Sequence, residues 1–483
     1  MLDYDLTSIQ EARDLARRAK TAQDAFSSFS EGQIDNILQA MVKKVLENAE
    51  CLARLAVDET NYGVQEHKVI KNTFAASDVY NHIKNIKTTG ILKEDKERRI
   101  IEAAVPVGVI MGITPTTNPT STIIHNTLIA VKAGNAIVFS PHPNSVKCSN
   151  ATVDLLHEAA VSAGAPEGIV GCIKKASMQA TEELMRHENI AVIIATGGSA
   201  MVRAAYSAGK PAFGVGPGNV PVFIERTADV RQAVKDIISS KTFDNGMICA
   251  SEQAILADEP VKEQVLAELK AQGAHILAPD EVEKVSAIVM TPKGGMTPAM
   301  TGKSAKYIAD AAGVPVPFGT KLLIAPLGGY GAKYPLSHEK LTSVLAFYTV
   351  KDWHDACLLS IELLKLGGIG HTFSIHCGNE AIIREFIQKP VFRILVNTPS
   401  ALGAIGYSTG LTPSLTLGCG TWGGSSISEN LGPQHLINIK RLAFGIKPVH
   451  IGASPAQPAP GPAKSDEIAD VVRQVLRQLQ YQG

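Results

Sequence analysis

The stretch Val105–Pro119, VPVGVIMGITPTTNP, decides the fold class of this 483-residue chain. Its β-branched run ends at Ile113 and is followed by a polar segment with prolines, the order expected of a buried strand that leads into a helix. Similar runs at 136–139, 190–195 and 220–224 also alternate with helical stretches. This alternation predicts an α/β fold with a mostly parallel sheet.

The segments on either side predict further elements. Residues 5–85 carry apolar residues at helical spacing, and residues 88–104 place a charged run between two extended segments, as a protruding hairpin would. After Cys249 the alternation resumes with a strand at 253–256 and a helix near 260–271. We therefore expect a second α/β unit in this half of the chain.

The end of the chain differs in composition. Residues 452–464, GASPAQPAPGPAK, have low complexity and predict an extended linker. Ser465–Gln482 follows as a predicted amphipathic helix with Ser465 as its cap. Its apolar residues, spaced at i, i+3, i+4, i+7, i+8 and i+11, are Ile468, Val471, Val472, Val475, Leu476 and Leu479.

Composition excludes several classes of protein. Lys plus Arg and Asp plus Glu are 46 each, without the basic excess of a nucleic-acid binder. The seven cysteines show no CxxC or CxxH spacing, which favours a reducing cytosol and predicts neither a disulfide framework nor a metal site. The acidic amino terminus is unlike a signal peptide, and no run of about 20 apolar residues occurs. We expect a soluble intracellular protein with neither a nucleic-acid nor a membrane partner.

Two motifs follow predicted strands, where α/β proteins bind ligands. In the segment 113–119, the amide of Asn118 could donate to an oxyanion, or Asn118 could simply cap the following helix. In the segment 195–199, ATGGS, glycine would let the backbone approach a phosphate group. A tight turn with Ser199 as the helix cap explains that segment equally well.

Two more motifs lie further along the chain. The segment 213–219, FGVGPGN, predicts either a ligand surface lined by backbone or a turn. The segment 244–253, DNGMICASEQ, places Cys249 at a loop edge before a strand. A lone cysteine is usually a buried apolar residue, but a polar and partly open position such as this one favours a nucleophile.

In order and spacing, these four motifs resemble the aldehyde dehydrogenase superfamily over residues 5–446. The resemblance implies that Cys249 is the nucleophile and that Asn118 supplies the oxyanion-hole amide. It implies oligomerisation arms at 88–104 and 435–444, and hence a homodimer or homotetramer. It also implies a nicotinamide cofactor, NAD, bound by Thr114, Pro115, Thr116, Ser140, Pro141, His142, Gly197, Gly198, Ser199, Gly214, Val215, Gly216 and Glu339.

Departures from the hydrolytic members of that family point to its CoA-acylating branch. The hydrolytic enzymes have a Glu that activates water in a Glu-Leu-Gly-Gly motif, where this chain reads VGPG at 215–218. They also have Lys-Pro-Ser-Glu at the adenosine ribose, where this chain reads SPHP at 140–143. The segments 370–372, 413–424 and 428–430 look like the acylating branch, and Cys419 within the second is predicted to be structural.

The resemblance implies the reaction of an aldehyde, coenzyme A and NAD to acyl-CoA and NADH through a thioester on Cys249. Propionaldehyde is favoured over acetaldehyde, and use of NADP stays open. His371 is either a proton acceptor for the CoA thiol or a structural histidine. The alternatives are a hydrolytic aldehyde dehydrogenase, a reductase of acyl phosphates and a non-catalytic member of the family.

The predicted carboxyl-terminal helix resembles the encapsulation peptides that recruit enzymes into bacterial microcompartments. We therefore predict shell proteins as partners and the lumen of a microcompartment in the bacterial cytoplasm as the location; docking of the helix on its own enzyme is the alternative. The predicted domains are a cofactor-binding domain over 1–226, a catalytic domain over 227–430, an oligomerisation arm over 431–447, a flexible linker over 448–464 and a targeting helix over 465–483.

Overall fold

The computed structural model describes residues 3–292, 294–449 and 468–474. The chain divides into two compact units, of which the larger comprises Met1–Leu92 and Glu102–Lys440 and the smaller Lys93–Ile101 and Arg441–Gly483. Among the residues described, no helix has both the length and the apolar character needed to cross a bilayer.

Fifteen α-helices and fifteen strands are named below in chain order. The helices are α1 Tyr4–Phe26, α2 Glu31–Thr60, α3 Gln65–Thr73, α4 Val79–Ile83, α5 Pro119–Lys132, α6 Val146–Ser162, α7 Met178–Arg186, α8 Ser199–Tyr206, α9 Val230–Thr242, α10 Lys262–Ala271, α11 Pro279–Val289, α12 Ala305–Ala312, α13 Trp353–Lys365, α14 Glu380–Glu385 and α15 Ser400–Ala404. The strands are β1 Gly90–Asp95, β2 Ile100–Pro106, β3 Val109–Thr114, β4 Ala136–Pro141, β5 Val170–Cys172, β6 Ile190–Thr196, β7 Ala212–Val215, β8 Val220–Ile224, β9 Glu252–Asp258, β10 Ala274–Ile276, β11 Leu322–Pro326, β12 Val344–Val350, β13 Gly370–His376, β14 Val391–Val396 and β15 Ile437–Ala443.

The amino-terminal segment is helical, as predicted for residues 5–85. Helix α2 begins at a capping box, in which Ser30 accepts from the backbone of Gln33 and the Gln33 side chain accepts from the backbone of Ser30. The apolar stripe of α2, which includes Ile34, Leu38 and Met41, is buried in the first core. A π-helical turn at Phe74–Asp78 joins α3 to α4.

Two parallel sheets form the body of the larger unit, and they confirm the predicted α/β class. The first has the order β5-β4-β3-β6-β7 and the second the order β10-β11-β12-β9-β8-β13-β14. Every strand pairing described within them is parallel. The chain passes from the first sheet to the second between Val215 and Val220, a few residues before the domain boundary predicted at residue 226.

The run at 105–113 is not a single strand, which corrects the prediction. Strand β2 ends at Pro106 and β3 begins at Val109. Pro106 has no N–H to donate to a ladder, and Gly108 has a φ of +127°, a backbone conformation that side chains disfavour. The apolar run therefore contains the end of β2 and all of β3 except its last residue.

The register of the first sheet gathers the predicted ligand loops at one edge. Ile113 pairs with Ser140 on one side and with Ala195 on the other, and Thr196 pairs with Val215. Because the strands are parallel, their carboxyl ends and the loops that follow lie at the same edge of the sheet. The Cys249 loop immediately precedes β9, which lies between β8 and β12 in the second sheet.

Strands β1, β2 and β15 form a third sheet in that order. The neighbouring strands β1 and β2 confirm that residues 88–104 form a hairpin, and β15 covers most of the strand predicted at 435–444. Side chains of β15 and of the residues after it are exposed, among them Ile439, Leu442 and Phe444. That these segments are oligomerisation arms stays a prediction.

Of the predicted targeting helix, residues 468–474 lie within the described part of the chain and are helical. Ile468, Val471 and Val472 are each at least half exposed. The linker, the cap Ser465 and the apolar residues from Val475 onward lie outside the described residues.

Candidate active site

A cavity of about 210 Å³ brings together residues from all four sequence motifs. It is lined by the loop after β3, the turn between β6 and α8, the loop after β7 and the loop before β9. Apolar side chains of Ile248, Ile405, Leu415 and Leu417 complete its wall. The predicted site residues that line it are Pro115, Asn118, Gly197, Gly198, Val215, Gly216, Cys249 and Glu339.

Cys249 is half-buried, whereas Cys51 is exposed and the other five cysteines are buried. Burial, and next the charge of Glu339, raise the pKa of the Cys249 thiol to about 12. Its own backbone N–H hydrogen-bonds the sulfur and Arg393 is nearby, and both lower the pKa. At neutral pH the residue is therefore a thiol, whose proton must be accepted before the sulfur can attack.

The carboxamide of Asn118 does not cap helix α5, so the interpretation of Asn118 as a side-chain cap is wrong. Its Nδ2 donates to the carbonyl of Met247 at 3.0 Å and to the hydroxyl of Thr117 at 3.2 Å. Its Oδ1 accepts from Nζ of Lys71 at 2.6 Å. The amide thus lies beside the loop that carries Cys249, where a carbonyl oxygen would develop charge.

Two buried lysines and one aspartate, here called the Lys68–Lys71–Asp244 cluster, lie behind Asn118. Both ammonium groups donate to Oδ2 of Asp244, and Oδ1 of Asp244 accepts from the backbone of Val64 at 2.8 Å. Burial lowers the pKa of Lys71 to about 8, although Asp244 opposes the shift. The sequence analysis missed both lysines because i, i+3 lysines on a helix normally indicate a solvated face.

Glycines shape the side of the cavity where a cofactor is expected. A Cβ added at Gly198 or Gly216 would meet no atom within 4 Å, so the space over both residues is open. Helix α8 begins at Ser199, and its first-turn N–H groups point toward the same turn. Open space over glycine beside a helix start fits a pyrophosphate group. Ser199 is the first helical residue and does not cap α8, which corrects that alternative.

Glu339 also lines the cavity and is half-buried. Its Oε1 accepts from the backbone N–H of Gly218 at 2.9 Å. Burial raises its pKa to about 7, while Gly218, Lys241 and Lys340 act in the other direction. A carboxylate beside the glycine loop fits the predicted cofactor-binding role of Glu339, because a carboxylate can accept hydrogen bonds from a ribose hydroxyl.

The other predicted cofactor residues are absent from the lining of this cavity. Ser140 is buried, and its hydroxyl is 2.9 Å from that of Thr181. His142 accepts from the backbone of Asn144 at 3.1 Å in a short turn. The remaining residues of this group are Thr114 and Pro141 at strand ends, Thr116 in a loop, Ser199 at the start of α8 and Gly214 within β7.

A buried guanidinium that the sequence analysis did not single out lies near Cys249. Arg393 donates to the carbonyl of Gly418 at 2.6 Å, and it hydrogen-bonds the sulfur of Cys419. Cys419 is buried, which agrees with a structural role. His371 is also fully buried: Nδ1 is 2.9 Å from the Thr372 hydroxyl, and Nε2 has no partner among the described residues.

Burial and the charge of Arg393 hold the pKa of His371 far below its usual value, so the imidazole is neutral. Within the described ranges, no three His, Cys, Asp or Glu side chains gather into a possible metal site.

Comparison with known proteins agrees with this geometry. The bifunctional aldehyde-alcohol dehydrogenase AdhE of Escherichia coli K12 is 44% identical over 444 residues, which cover 91% of this chain and 50% of that protein. The chain thus spans about half the length of the aldehyde-alcohol dehydrogenases it matches.

Two solved structures share the fold over nearly their whole length. An acetylating aldehyde dehydrogenase from Geobacillus thermoglucosidasius is 50% identical with a TM-score of 0.92, covering 93% of this chain and 99% of its own. A propionaldehyde dehydrogenase from the fucose utilisation microcompartment of Clostridium phytofermentans is 31% identical with a TM-score of 0.81. The match covers 89% of this chain and 96% of that protein's chain. With the aldehyde dehydrogenase family profile also matching residues 3–309, the chain belongs to the aldehyde dehydrogenase family.

Proposed function

We propose that the protein is an oxidoreductase that converts a short-chain aldehyde and CoA into an acyl-CoA. One observation carries the proposal: Cys249, Asn118, the glycine turn and Glu339 line one cavity, while residues 215–218 hold no carboxylate to activate water. The acetylating relative from Geobacillus supports the acylating reaction.

The chain's own residues perform the first half of the reaction. The sulfur of Cys249 bonds to the aldehyde carbon as the thiol proton passes to solvent water, and the amide of Asn118 stabilises the resulting oxyanion. Bound NAD supplies the acceptor for the hydride that leaves this carbon. Gly197, Gly198 and Gly216 would hold the pyrophosphate and Glu339 the nicotinamide ribose. The carbon is oxidised to a thioester on Cys249.

The second half exchanges one thioester for another. The sulfur of CoA bonds to the acyl carbon, the bond to Cys249 breaks, and the proton of the CoA thiol moves to a base. His371 is our candidate for this acceptor because its ring is neutral and Nε2 is unpartnered among the described residues. Water would need a carboxylate base, and Glu339, whose Oε1 is held by Gly218, is our candidate for cofactor binding instead.

Propionaldehyde is the substrate we favour, with acetaldehyde second. The cavity is small and its wall includes several aliphatic side chains, which suits a short apolar aldehyde. The propionaldehyde dehydrogenase from Clostridium phytofermentans supports this choice. The choice between NAD and NADP stays open, since the segment 140–143 lacks the carboxylate that repels a 2′-phosphate.

We also propose a homodimer or homotetramer in a microcompartment of the bacterial cytoplasm. The exposed apolar residues of and after β15 would be covered by a second copy of the chain. The helix at 468–474, with its exposed Ile468 and Val472, would bind shell proteins. The microcompartment origin of the propionaldehyde dehydrogenase supports this location.

The test is NADH formation from propionaldehyde and acetaldehyde with and without CoA. We expect turnover to require CoA and to yield acyl-CoA, to be lost in Cys249→Ala and to be largely kept in Cys419→Ala. Free propionate or acetate formed at a comparable rate without CoA would establish the hydrolytic alternative. A requirement for phosphate would indicate the reductase of acyl phosphates, and robust turnover by Cys249→Ala would exclude the proposed nucleophile.

A further inference from the structure

We propose that Lys71 is a positioning residue for catalysis, which fixes the orientation of the Asn118 carboxamide. The inference rests on the proposed function, because it names the group that aims the oxyanion donor. Lys71 lies in α3, outside the four motifs in the sequence although it contacts two of them, and it does not line the cavity. It acts through Asn118 and not on the substrate.

The hydrogen bonds allow one orientation of the amide. An ammonium group can only donate, so the atom of Asn118 that is 2.6 Å from Nζ of Lys71 must be the carbonyl oxygen Oδ1. Nδ2 then points away from Lys71, toward the carbonyl of Met247 and the hydroxyl of Thr117. Without Lys71, a flip of the amide would present Oδ1 to the oxyanion, which would repel it.

Lys71 is itself held firmly. Its three donors are all used, by Asn118, by Asp244 and by the carbonyl of Met247 at 3.1 Å. The side chain is 2% exposed and that of Asp244 is fully buried. Because Asp244 lies on the loop that carries Cys249, one ammonium group joins the oxyanion amide to the nucleophile loop.

The arrangement also places positive charge behind the amide. With both lysines protonated, Lys68, Lys71 and Asp244 carry one net positive charge in a region without solvent. A charge that polarises the Asn118 amide strengthens its donation to an oxyanion. Lys71 is the member of the cluster that touches this amide.

Lys68 provides a matched control. It is as buried as Lys71 and donates to the same oxygen of Asp244 at 3.0 Å, but its other bond goes to the carbonyl of Thr117 and not to Asn118. Loss of either lysine removes one ion pair with Asp244. Only loss of Lys71 frees the Asn118 carboxamide.

The experiment compares Lys71→Met, Lys68→Met, Asn118→Ala and the Lys71→Met/Asn118→Ala double variant of the full chain. We expect Lys71→Met to lower kcat for NADH formation by about 10²-fold, as loss of an oxyanion donor does, with KM for the aldehyde little changed. Lys68→Met should lower kcat by much less at a similar loss of Tm. The double variant should be no slower than Asn118→Ala alone. Lys71→Gln, which keeps one donor for Oδ1, should recover part of the loss.

A crystal structure of Lys71→Met, or of Lys71→Gln if the former does not fold, separates this inference from the proposed function. Rotation of the Asn118 carboxamide in Lys71→Met would support the inference. So would a carboxamide that the introduced glutamine holds in place in Lys71→Gln. Either result would count even if the wild-type protein failed to make acyl-CoA. An unmoved carboxamide in Lys71→Met, equal losses of kcat in the two lysine variants, or additive effects in the double variant would overturn it. If Lys71→Met does not fold, Lys71→Gln takes its place. The inference would then be overturned if the introduced glutamine made no hydrogen bond to Asn118 and kcat were still unchanged.

Discussion

The reactivity of the Cys249 thiol depends on its pKa, which responds to burial and to the nearby charges of Glu339 and Arg393. The thiol has a pKa of about 12 because it is buried, and Glu339 raises the pKa further while Arg393 lowers it. Arg393 is buried and Glu339 is half-buried, so solvent screens their fields only in part. Cys249 is therefore protonated at neutral pH, and a thiol reacts more slowly with oxidants and alkylating agents than a thiolate does.

Glu339→Gln should lower the pKa of the Cys249 thiol, because the substitution removes a nearby negative charge. The measurement is the rate at which iodoacetamide alkylates Cys249 as a function of pH. The profile of the variant should lie at lower pH than that of the wild type. Since the pKa of Glu339 is about 7, the difference should appear above that pH, where the wild-type carboxylate is ionised.

Arg393→Met gives the control of opposite sign, because its guanidinium lowers the pKa of the thiol. Its alkylation profile should lie at higher pH than that of the wild type. Superimposable profiles for Glu339→Gln and the wild type would show that the carboxylate does not influence the nucleophile.

At the scale of the element, the end of β7 and the loop that follows it contain three glycines, at 214, 216 and 218, and each is needed for a different physical reason. A Cβ at Gly214 would clash with Val202 and Tyr206, whereas one at Gly216 would meet open space. A Cβ at Gly218 would lie 2.2 Å from the carbonyl oxygen of Cys249. Gly218 is thus the point where this loop touches the backbone of the nucleophile.

Gly218→Ala should reduce kcat/KM for the aldehyde by at least about tenfold, because the backbone of Cys249 must shift to admit the methyl group and a displaced nucleophile loses its alignment. The variant should remain folded, with a lower Tm. Steady-state kinetics and thermal unfolding provide the measurements.

Gly32→Ala, at a position in α2 with no atom within 4 Å of the added Cβ, controls for the glycine-to-alanine change itself. It should keep both activity and Tm. Wild-type kinetics in Gly218→Ala would contradict the close contact between the two loops.

At the scale of the whole molecule, the chain divides into a body and a smaller unit that contains its carboxyl-terminal residues. The described residues of the cavity all belong to the body. The helix at 468–474 contributes nothing to this lining and exposes Ile468, Val471 and Val472. The proposed catalysis and the proposed targeting therefore involve different parts of the chain.

A fluorescent protein fused to residues 452–483 should collect in puncta when the microcompartment shell is co-expressed, since the apolar stripe needs a partner. The double change Val472→Glu and Leu476→Glu should make the fluorescence diffuse by placing charge on the stripe. Fluorescence microscopy and purification of shells measure the outcome.

The matched control is Arg473→Glu, a change of charge on another face of the helix, which should keep the puncta. Diffuse fluorescence of the unmodified fusion, or packaging that survives both glutamates, would contradict the targeting role. Loss of activity in the chain truncated before residue 452 would favour docking of the tail on its own enzyme.

Local sequence patterns were sufficient for the fold class and for the position of the site. Runs of β-branched residues followed by polar or glycine-rich turns predict parallel strands whose ends carry the ligand loops, and these features depend on neighbours in the chain. The spacing of the four motifs then identified the family. The residues Asn118, Gly197, Gly198 and Cys249 were accordingly found from the sequence and do line one cavity.

The tertiary structure decided how those residues are held. Lys71 and Asp244 are 173 positions apart, and no local pattern predicts that a helix would bury two lysines against one carboxylate. Likewise, Asn118 would be expected to cap α5, and only its contacts with Lys71 and Met247 turn its amide toward the nucleophile loop. The periodicity of a sequence predicts which apolar residues are buried. It does not predict buried charges, because their stabilising partners are distant in the chain and meet only in the folded structure.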